Sequence, residues 1–232
     1  MLESALTALV ADRIWILDRP VWFTGARLRA RTTVVRLDDG SLLLHTPPPP
    51  TDALAEQLRA LGPVRWLVVP NCWHHLGAPA AAARFPEAKL VGPASALDRN
   101  PALRLDVNIH DQLGAQLPEL ETLPLRGVPF WDETVLYHRP TQTLLGADIV
   151  CSADGKDHWT WRLGACLYGC YERVRVPPDA RKKIVDKAAA ARSLGAMLAR
   201  PAQRLIIGHG AVIEAGWRDQ LARAWRLEGV EV

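Results

Sequence analysis

Residues 70–77 read PNCWHHLG, and they directly follow the apolar run RWLVV of residues 65–69. A short apolar run bounded by turn residues predicts a buried β-strand. Two adjacent imidazoles at the end of such a strand fit a metal site, and they equally fit a polar turn that uses histidine. The stretch therefore directs attention to the ends of the other predicted strands.

Two more strands end in a side chain of the metal-ligand type. Asp148 closes the run TLLGAD, and His209 lies in the run RLIIGHG. Gly146 precedes Asp148, and Gly208 and Gly210 flank His209, so the backbone can approach a bound group closely at both places. Side chains at strand ends converge on one edge of a sheet, where open α/β proteins place their sites.

The order of predicted elements favours one α/β domain over residues 1–232. Alternating apolar runs before residue 46 predict an antiparallel meander, and the prolines at 47–50 predict an extended linker. Strands and helices then alternate, and Thr51 or Asp52 is predicted to cap the first helix, with Gly62 at its end. Further helices are predicted at 179–200 and 217–228. No boundary rich in glycine or serine divides the chain.

The composition points to an ordinary globular protein. The chain has 232 residues, 49% of them hydrophobic, and a net charge of +3 with dispersed basic residues. We therefore expect no nucleic-acid partner. The N-terminal stretch lacks the basic and cleavage features of a signal peptide, and no apolar run reaches the roughly 20 residues that cross a bilayer, so no membrane association and a cytoplasmic location are predicted. Four cysteines are too few for a disulfide framework.

The motifs together resemble those of the metallo-β-lactamase superfamily. The segments PNCWHHLG, ETVLYHRPTQTLLGAD and PAQRLIIGHG are similar to those of an uncharacterised subfamily, a domain of unknown function. The resemblance extends from about Arg13 to the last helix. It implies an α/β (α+β) fold, the four-layer αββα sandwich of the superfamily.

The resemblance also implies which ligands have been lost. The superfamily motif is H-x-H-x-D-H followed by x-G, and aligning it on Gly77 places His75 at the last histidine and His74 at the aspartate. Cys72 then takes the second histidine position and Pro70 the first. The family's mid-chain histidine should lie in the segment RGVPFWDE at 126–133, which contains none. The first of the two family metal sites is therefore expected to be missing.

The second family site retains a complete donor set. His74, His75, Asp148 and His209 match its four positions, and the resemblance implies that they bind one zinc or iron ion. The opposing interpretation is that these side chains are hydrogen-bonded polar remnants in an inherited cleft.

Three other side chains are weaker candidates. Glu133 lies near the place of the missing histidine, so it is either a contact of the metal or its water or an ordinary strand-edge carboxylate. His45 stands where the family often has an acidic residue near the metals, so an outer-shell role is possible. His138, five residues beyond Glu133, is expected to face the other way, exposed or packed.

The first functional hypothesis is a metal-dependent hydrolase of a small-molecule ester, thioester, amide or phosphoester, in which Asp148 accepts a proton from the attacking water. The alternative is a noncatalytic protein of the same fold that binds a small molecule or a partner in the former cleft. A third hypothesis is redox chemistry at one iron ion. The substrate, the oligomeric state and the role of Cys72 stay open.

Overall fold

Two β-sheets and seven α-helices make up the part of the chain that the computed structural model describes, residues 5–110 and 113–232. The strands are β1 (Thr7–Val10), β2 (Ile14–Phe23), β3 (Ala26–Arg36), β4 (Leu42–His45), β5 (Val64–Val68), β6 (Lys89–Gly92), β7 (Val107–Asn108), β8 (Leu120–Pro124), β9 (Thr134–His138), β10 (Thr143–Leu145) and β11 (Arg204–Ile206). The helices are α1 (Asp52–Leu61), α2 (Ala78–Arg84), α3 (Ser95–Arg99), α4 (Leu113–Gln116), α5 (Trp159–Tyr168), α6 (Lys187–Leu198) and α7 (Trp217–Arg226), with a 3-10 turn at Arg181–Lys183.

The chain divides into two compact units. The first unit comprises Met1–Arg19, Arg31–Thr122 and His138–Thr141, and the second comprises Pro20–Ala30, Leu123–Tyr137 and Gln142–Val232. The prediction of a single domain over residues 1–232 stays a prediction. The predicted lack of a signal peptide also stays a prediction. The N-terminal stretch on which it is based includes residues 1–4, which lie outside the described residues.

The larger sheet contains seven strands in the order β1-β2-β3-β4-β5-β6-β7. Strands β1 and β2 pair antiparallel, as do β3 and β4, whereas β4 to β7 pair parallel. The predicted change from a meander to alternating strands and helices is thus confirmed. Parallel pairing brings the carboxyl ends of β4 and β5 to the same edge of the sheet.

Helix α1 begins and ends as its sequence predicts. The side chain of Thr51 accepts a hydrogen bond from the backbone N–H of Leu54, and the N–H of Gly62 donates to the carbonyl oxygen of Leu58. The helix buries Leu54 and Leu58 in the apolar cluster of the first unit, which β4 and β5 also line. Burial of this one face holds the helix on the sheet.

The smaller sheet has the strand order β11-β10-β9-β8. Strands β10 and β11 pair parallel, with Leu144 opposite Leu205. Their carboxyl ends therefore lie side by side, so the chain that follows β10 runs next to the chain that follows β11. Helix α7 is the last helix of the described chain, and it buries Trp217, Leu221 and Trp225 on one face.

The prediction of one long helix at 179–200 is wrong over residues 179–186. Residues Arg181–Lys183 form a 3-10 turn, and α6 begins only at Lys187. The side chain of Asp186 accepts a hydrogen bond from the N–H of Ala189 and caps the helix, while the N–H groups of Val185 and Asp186 donate to the carbonyl oxygen of Gly127. This distant contact fixes the chain in a non-helical conformation before the cap.

No helix within the described ranges, 5–110 and 113–232, is long and apolar enough to cross a membrane. The predicted cytoplasmic location and the expected lack of a nucleic-acid partner stay predictions.

Candidate functional site

The histidine loop, residues 71–77 of the first unit, is a tightly held turn after β5. The buried Asn71 accepts hydrogen bonds on Oδ1 from the backbone N–H groups of Trp73, at 2.9 Å, and His74, at 3.0 Å. Asparagine side chains commonly close turns in this way. A Cβ at Gly77 would overlap the carbonyl oxygen of Pro47, so only glycine fits at the end of the loop.

The His75 ring is oriented by a backbone contact. Its Nδ1 lies 3.0 Å from the carbonyl oxygen of Cys72. A carbonyl only accepts, so Nδ1 is the donor, and in the neutral ring Nε2 carries the lone pair. A histidine whose second nitrogen donates to a backbone carbonyl is the usual form of a metal ligand. His75 is buried, and His74 beside it is half-buried.

In the second unit, Asp148 lies on a turn that a buried carboxylate organises. Glu133 Oε1 accepts the N–H of Ala147 at 2.8 Å and of Ile149 at 3.3 Å, and its Oε2 accepts the N–H of Asp148 at 2.8 Å. The Glu133 side chain is completely buried, and Asp148 is 9% exposed. A carboxylate that accepts several backbone N–H groups is stabilised in its charged form. Glu133 therefore determines where the backbone of Asp148 lies.

The turn that carries His209 is joined to the chain that follows β10. The N–H of Gly208 donates to the carbonyl oxygen of Ala147 at 2.8 Å, and the N–H of Ser152 donates to the carbonyl oxygen of His209 at 3.0 Å. Gly210 has a φ of 135°, and a Cβ there would overlap the Ser152 hydroxyl. Glycine is required at this position because of both the dihedral angle and the space.

His209 and Asp148 face each other in the second unit. His209 Nδ1 lies 2.8 Å from the carbonyl oxygen of Arg29, which makes Nδ1 the donor, and His209 Nε2 lies 3.5 Å from Asp148 Oδ1. Two ligands of one tetrahedral ion, each about 2.0–2.1 Å from it, lie roughly 3.3 Å apart. The separation and the tautomer thus suit two ligands of a single ion.

The carbonyl that orients His209 belongs to an anchored residue. The Arg29 guanidinium donates to Asp154 at 2.9 Å and to Asp157 at 3.2 Å, and the side chains of Arg29 and Asp157 are 7% and 1% exposed. Buried ion pairs with several hydrogen bonds hold a side chain in one geometry. This part of β3 is therefore fixed, and the His209 ring with it.

Asp148 influences the ionisation of a second carboxyl group in the second unit. Burial raises the pKa of Asp179, and the charge of Asp148 raises it further. The two carboxyl groups therefore lie within electrostatic reach of each other in the second unit.

The outcomes for the weaker candidates differ. Glu133 is not an ordinary strand-edge carboxylate, because three backbone N–H groups surround it. His138 is packed: it is completely buried, and its ring nitrogens lie 2.8 Å from Thr141 Oγ1 and 3.2 Å from Glu119 Oε2. The roles of Glu133 and Arg29 depend on contacts between distant parts of the chain, and no sequence motif marks them.

Comparison with solved structures identifies the fold. The metallo-beta-lactamase from Pontibacter korlensis is 17% identical, with 97% of this chain and 98% of that one covered and a TM-score of 0.66. That from Erythrobacter litoralis is 15% identical, with 97% and 95% covered and a TM-score of 0.69. FIM-1 from Pseudomonas aeruginosa, in the mono-zinc form, is 14% identical, with 97% and 96% covered and a TM-score of 0.65. The chain has the metallo-β-lactamase fold.

The comparison with protein families matches a shorter part of the chain than the comparison with solved structures does. Residues 11–94 match the model described as Domain of unknown function (DUF4336). The fold inferred from the sequence is therefore confirmed, and the resemblance to an uncharacterised family is supported over residues 11–94. Comparison with curated proteins gave no match.

Proposed function

We propose that the protein is a hydrolase that depends on a single metal ion held by His74, His75, Asp148 and His209. The observation that carries the proposal is the pair in the second unit, in which His209 Nε2 lies 3.5 Å from Asp148 Oδ1 while Nδ1 faces the carbonyl oxygen of Arg29. The arrangement supports a neutral imidazole and a carboxylate that share one cation.

The histidine loop supplies the other two donors in this proposal. Its support is the Nδ1 contact of His75 with the Cys72 carbonyl, which leaves the lone pair on Nε2, as in His209. Three imidazoles and one carboxylate suit zinc or iron. The similar FIM-1 structure is a mono-zinc form, so a protein of this fold can hold one zinc ion.

The chemistry follows from the donor set. When bound, zinc or iron would act as a Lewis acid that lowers the pKa of water and polarises a carbonyl or phosphoryl group. Because only one ion is bound, Asp148 would not have to bridge two ions. Its second carboxylate oxygen would then accept the proton of the attacking water. Glu133 would hold the Asp148 backbone in place, and the Arg29 carbonyl would hold the His209 ring.

Metal analysis of the purified protein tests the proposal. The wild-type chain should contain zinc or iron, and the Asp148→Ala and His209→Ala variants should lose it. Asp219→Ala, on the exposed side of α7, is the matched control and should keep the metal. A wild-type protein that holds no metal after incubation with excess zinc would contradict the proposal.

The metal-loaded protein should then hydrolyse one of four substrate classes: esters, thioesters, amides or phosphoesters. We expect activity in the wild type that disappears on chelation and in the Asp148→Asn variant. Asparagine preserves the shape of the side chain but accepts no proton, so this variant separates catalysis from folding.

A noncatalytic binding function is the second candidate. It is favoured by Pro70 and Cys72, which stand at two ligand positions of the family motif. A protein of this kind would bind no ion and hydrolyse none of the four classes, whereas Asp148→Asn would leave its ligand affinity unchanged unless the ligand contacts that side chain.

A further inference from the structure

Helix α5 is apolar on two opposite sides. On its inner side Trp161 and Ala165 are buried in an apolar cluster of the second unit. On its outer side Trp159, Leu163 and Leu167 follow one another at intervals of four residues, and they are 65%, 56% and 78% exposed. A helix with apolar side chains all round is normally buried on all sides. The outer side of α5 therefore has the composition of an interface.

The hairpin of β2 and β3 extends this outer side. The centroid of the Trp22 ring lies 6.0 Å from that of His158, which lies 5.8 Å from that of Trp159. Within residues 5–110 and 113–232, six of the ten exposed large apolar side chains belong to the hairpin and α5. We call the surface that their outer side chains form the α5 patch, and it consists of Trp22, Phe23, Trp159, Leu163, Cys166 and Leu167.

Hydrogen bonds hold the two segments of the α5 patch together. The backbone N–H of Arg27 donates to Thr160 Oγ1 at 3.0 Å, and the side chain of His158 caps α5 by accepting the N–H of Thr160. Arg29, on the same strand as Arg27, pairs with Asp157 at 3.2 Å. Aromatic side chains on fixed elements lose little conformational freedom on binding. The α5 patch is thus preorganised for a partner.

The size of the α5 patch matches one side of a protein interface. Its exposed side chains present about 600–700 Å² of apolar surface. This area exceeds the few hundred square ångströms that are usual for an apolar patch on a monomer. Each partner in an interface of standard size buries about 800 Å². The area is therefore close to what each subunit of a stable dimer buries.

The shape of this surface suits a second copy of the chain. Beside the exposed indole of Trp22, the outer side of α5 has a groove of about 330 Å³, which is lined by Trp159, Arg162, Leu163, Cys166 and Tyr171. In a two-fold arrangement the same surface is used by both chains, so the indole of each chain can enter the groove of the other. Aromatic side chains that fill pockets contribute most of the binding energy in many interfaces.

The charges point to the same occupant. Arg162 is the one charged residue in the sequence of α5, and its guanidinium lies 5.8 Å from the centroid of the Tyr171 ring. A partner rich in charged side chains would have to bury them with few counterparts, which is costly. A second apolar surface of the same kind carries no such cost.

We propose that the α5 patch is the interface of a symmetric homodimer of this protein. The two chains contact each other through α5 and the hairpin of β2 and β3. The proposal concerns a surface of the second unit and does not depend on the proposed hydrolase function.

Leu163→Glu and Leu227→Glu form a matched pair of test variants. Both leucines are 56% exposed, but Leu227 follows α7 and lies outside the α5 patch. Interfaces of this size give dissociation constants from micromolar to picomolar, so sedimentation velocity should show wild-type dimers at about 100 μM. Leu163→Glu should raise the dimer dissociation constant by about 100-fold or more, because a symmetric contact loses the side chain twice. Leu227→Glu should leave it unchanged.

The other outcomes would overturn the proposal. They are a wild type that stays monomeric at this concentration, an open-ended series of oligomers, and equal dissociation constants in the two variants. A wild type that is monomeric in solution but sediments with phosphatidylglycerol vesicles would assign the α5 patch to an anionic bilayer instead. Circular dichroism checks that the variants fold, and Leu167→Glu, at a more exposed position, replaces Leu163→Glu if that variant does not fold.

Discussion

Glu133 is a buried residue that holds the backbone of Asp148, a proposed metal ligand. Both of its carboxylate oxygens accept N–H groups of the turn at 147–149. Such partners of metal ligands affect metal affinity without touching the ion. Glu133 should therefore act as a positioning residue that also adds negative charge near the site.

We expect Glu133→Gln to weaken zinc binding by about 10- to 100-fold, the usual effect of changing an outer-shell partner. Because the glutamine NH₂ cannot accept a hydrogen bond, at least one N–H of the turn loses its partner, which should cost about 1–3 kcal/mol of stability. Calorimetric zinc titration and urea denaturation measure the two effects. The control is Glu214→Gln, on an exposed side chain, and an unchanged zinc affinity in Glu133→Gln would refute the role.

His138 should make the stability of the metal-free protein depend on pH. Burial lowers its pKa, an effect that its contact with Glu119 partly opposes; Arg13 lowers the pKa and Asp38 raises it. Because the pKa is lower in the folded than in the unfolded protein, the unfolded chain takes up more protons as the pH falls below about 6.5, and stability decreases. Urea denaturation at pH 7 and pH 5 should show a smaller decrease in His138→Gln than in the wild type. An equal or larger decrease would contradict this explanation.

The sequence predicts single residues well where they belong to a motif at a strand end. Asp148 and His209 were selected in this way, and the second unit brings their side chains together. The sequence marked Glu133 as either a metal contact or a strand-edge carboxylate, but it did not predict that Glu133 and Arg29 orient these ligands, because the two contacts span 15 and 180 positions of sequence. Nothing local in the sequence encodes such contacts.

Among the elements, α6 shows how a distant contact changes a helix boundary. The pattern after Pro178 favours a helix from residue 179. However, the N–H groups of Val185 and Asp186 donate hydrogen bonds to the carbonyl oxygen of Gly127. Asp186 then caps a shorter helix. Intrinsic propensity is a weak guide where a tertiary hydrogen bond competes with it.

Asp186→Ala should destabilise the protein by about 1 kcal/mol, because the N–H of Ala189 loses its capping acceptor. Asp186→Asn retains a capping oxygen and should cost less. Urea denaturation of both variants at neutral pH provides the measurement. Equal stability of Asp186→Ala and wild type would show that the cap contributes nothing.

For the whole molecule, the fold was predictable because the segments that carry the resemblance extend from about residue 13 to the last helix. Solved metallo-beta-lactamases with 12–17% identity match 96–98% of the chain, with TM-scores of 0.65–0.70. Fold persists at this identity because apolar patterning and strand order tolerate substitution. Function does not follow from the fold, since it depends on a few side chains.

The central claim is that each chain holds one metal ion. Quantitative metal analysis of protein loaded with zinc and freed of excess tests it most directly. The account predicts about one zinc ion per wild-type chain, since the four proposed ligands form one donor set, while Pro70 and Cys72 replace histidines of the family's other site. No bound zinc, or two zinc ions per chain, would contradict it.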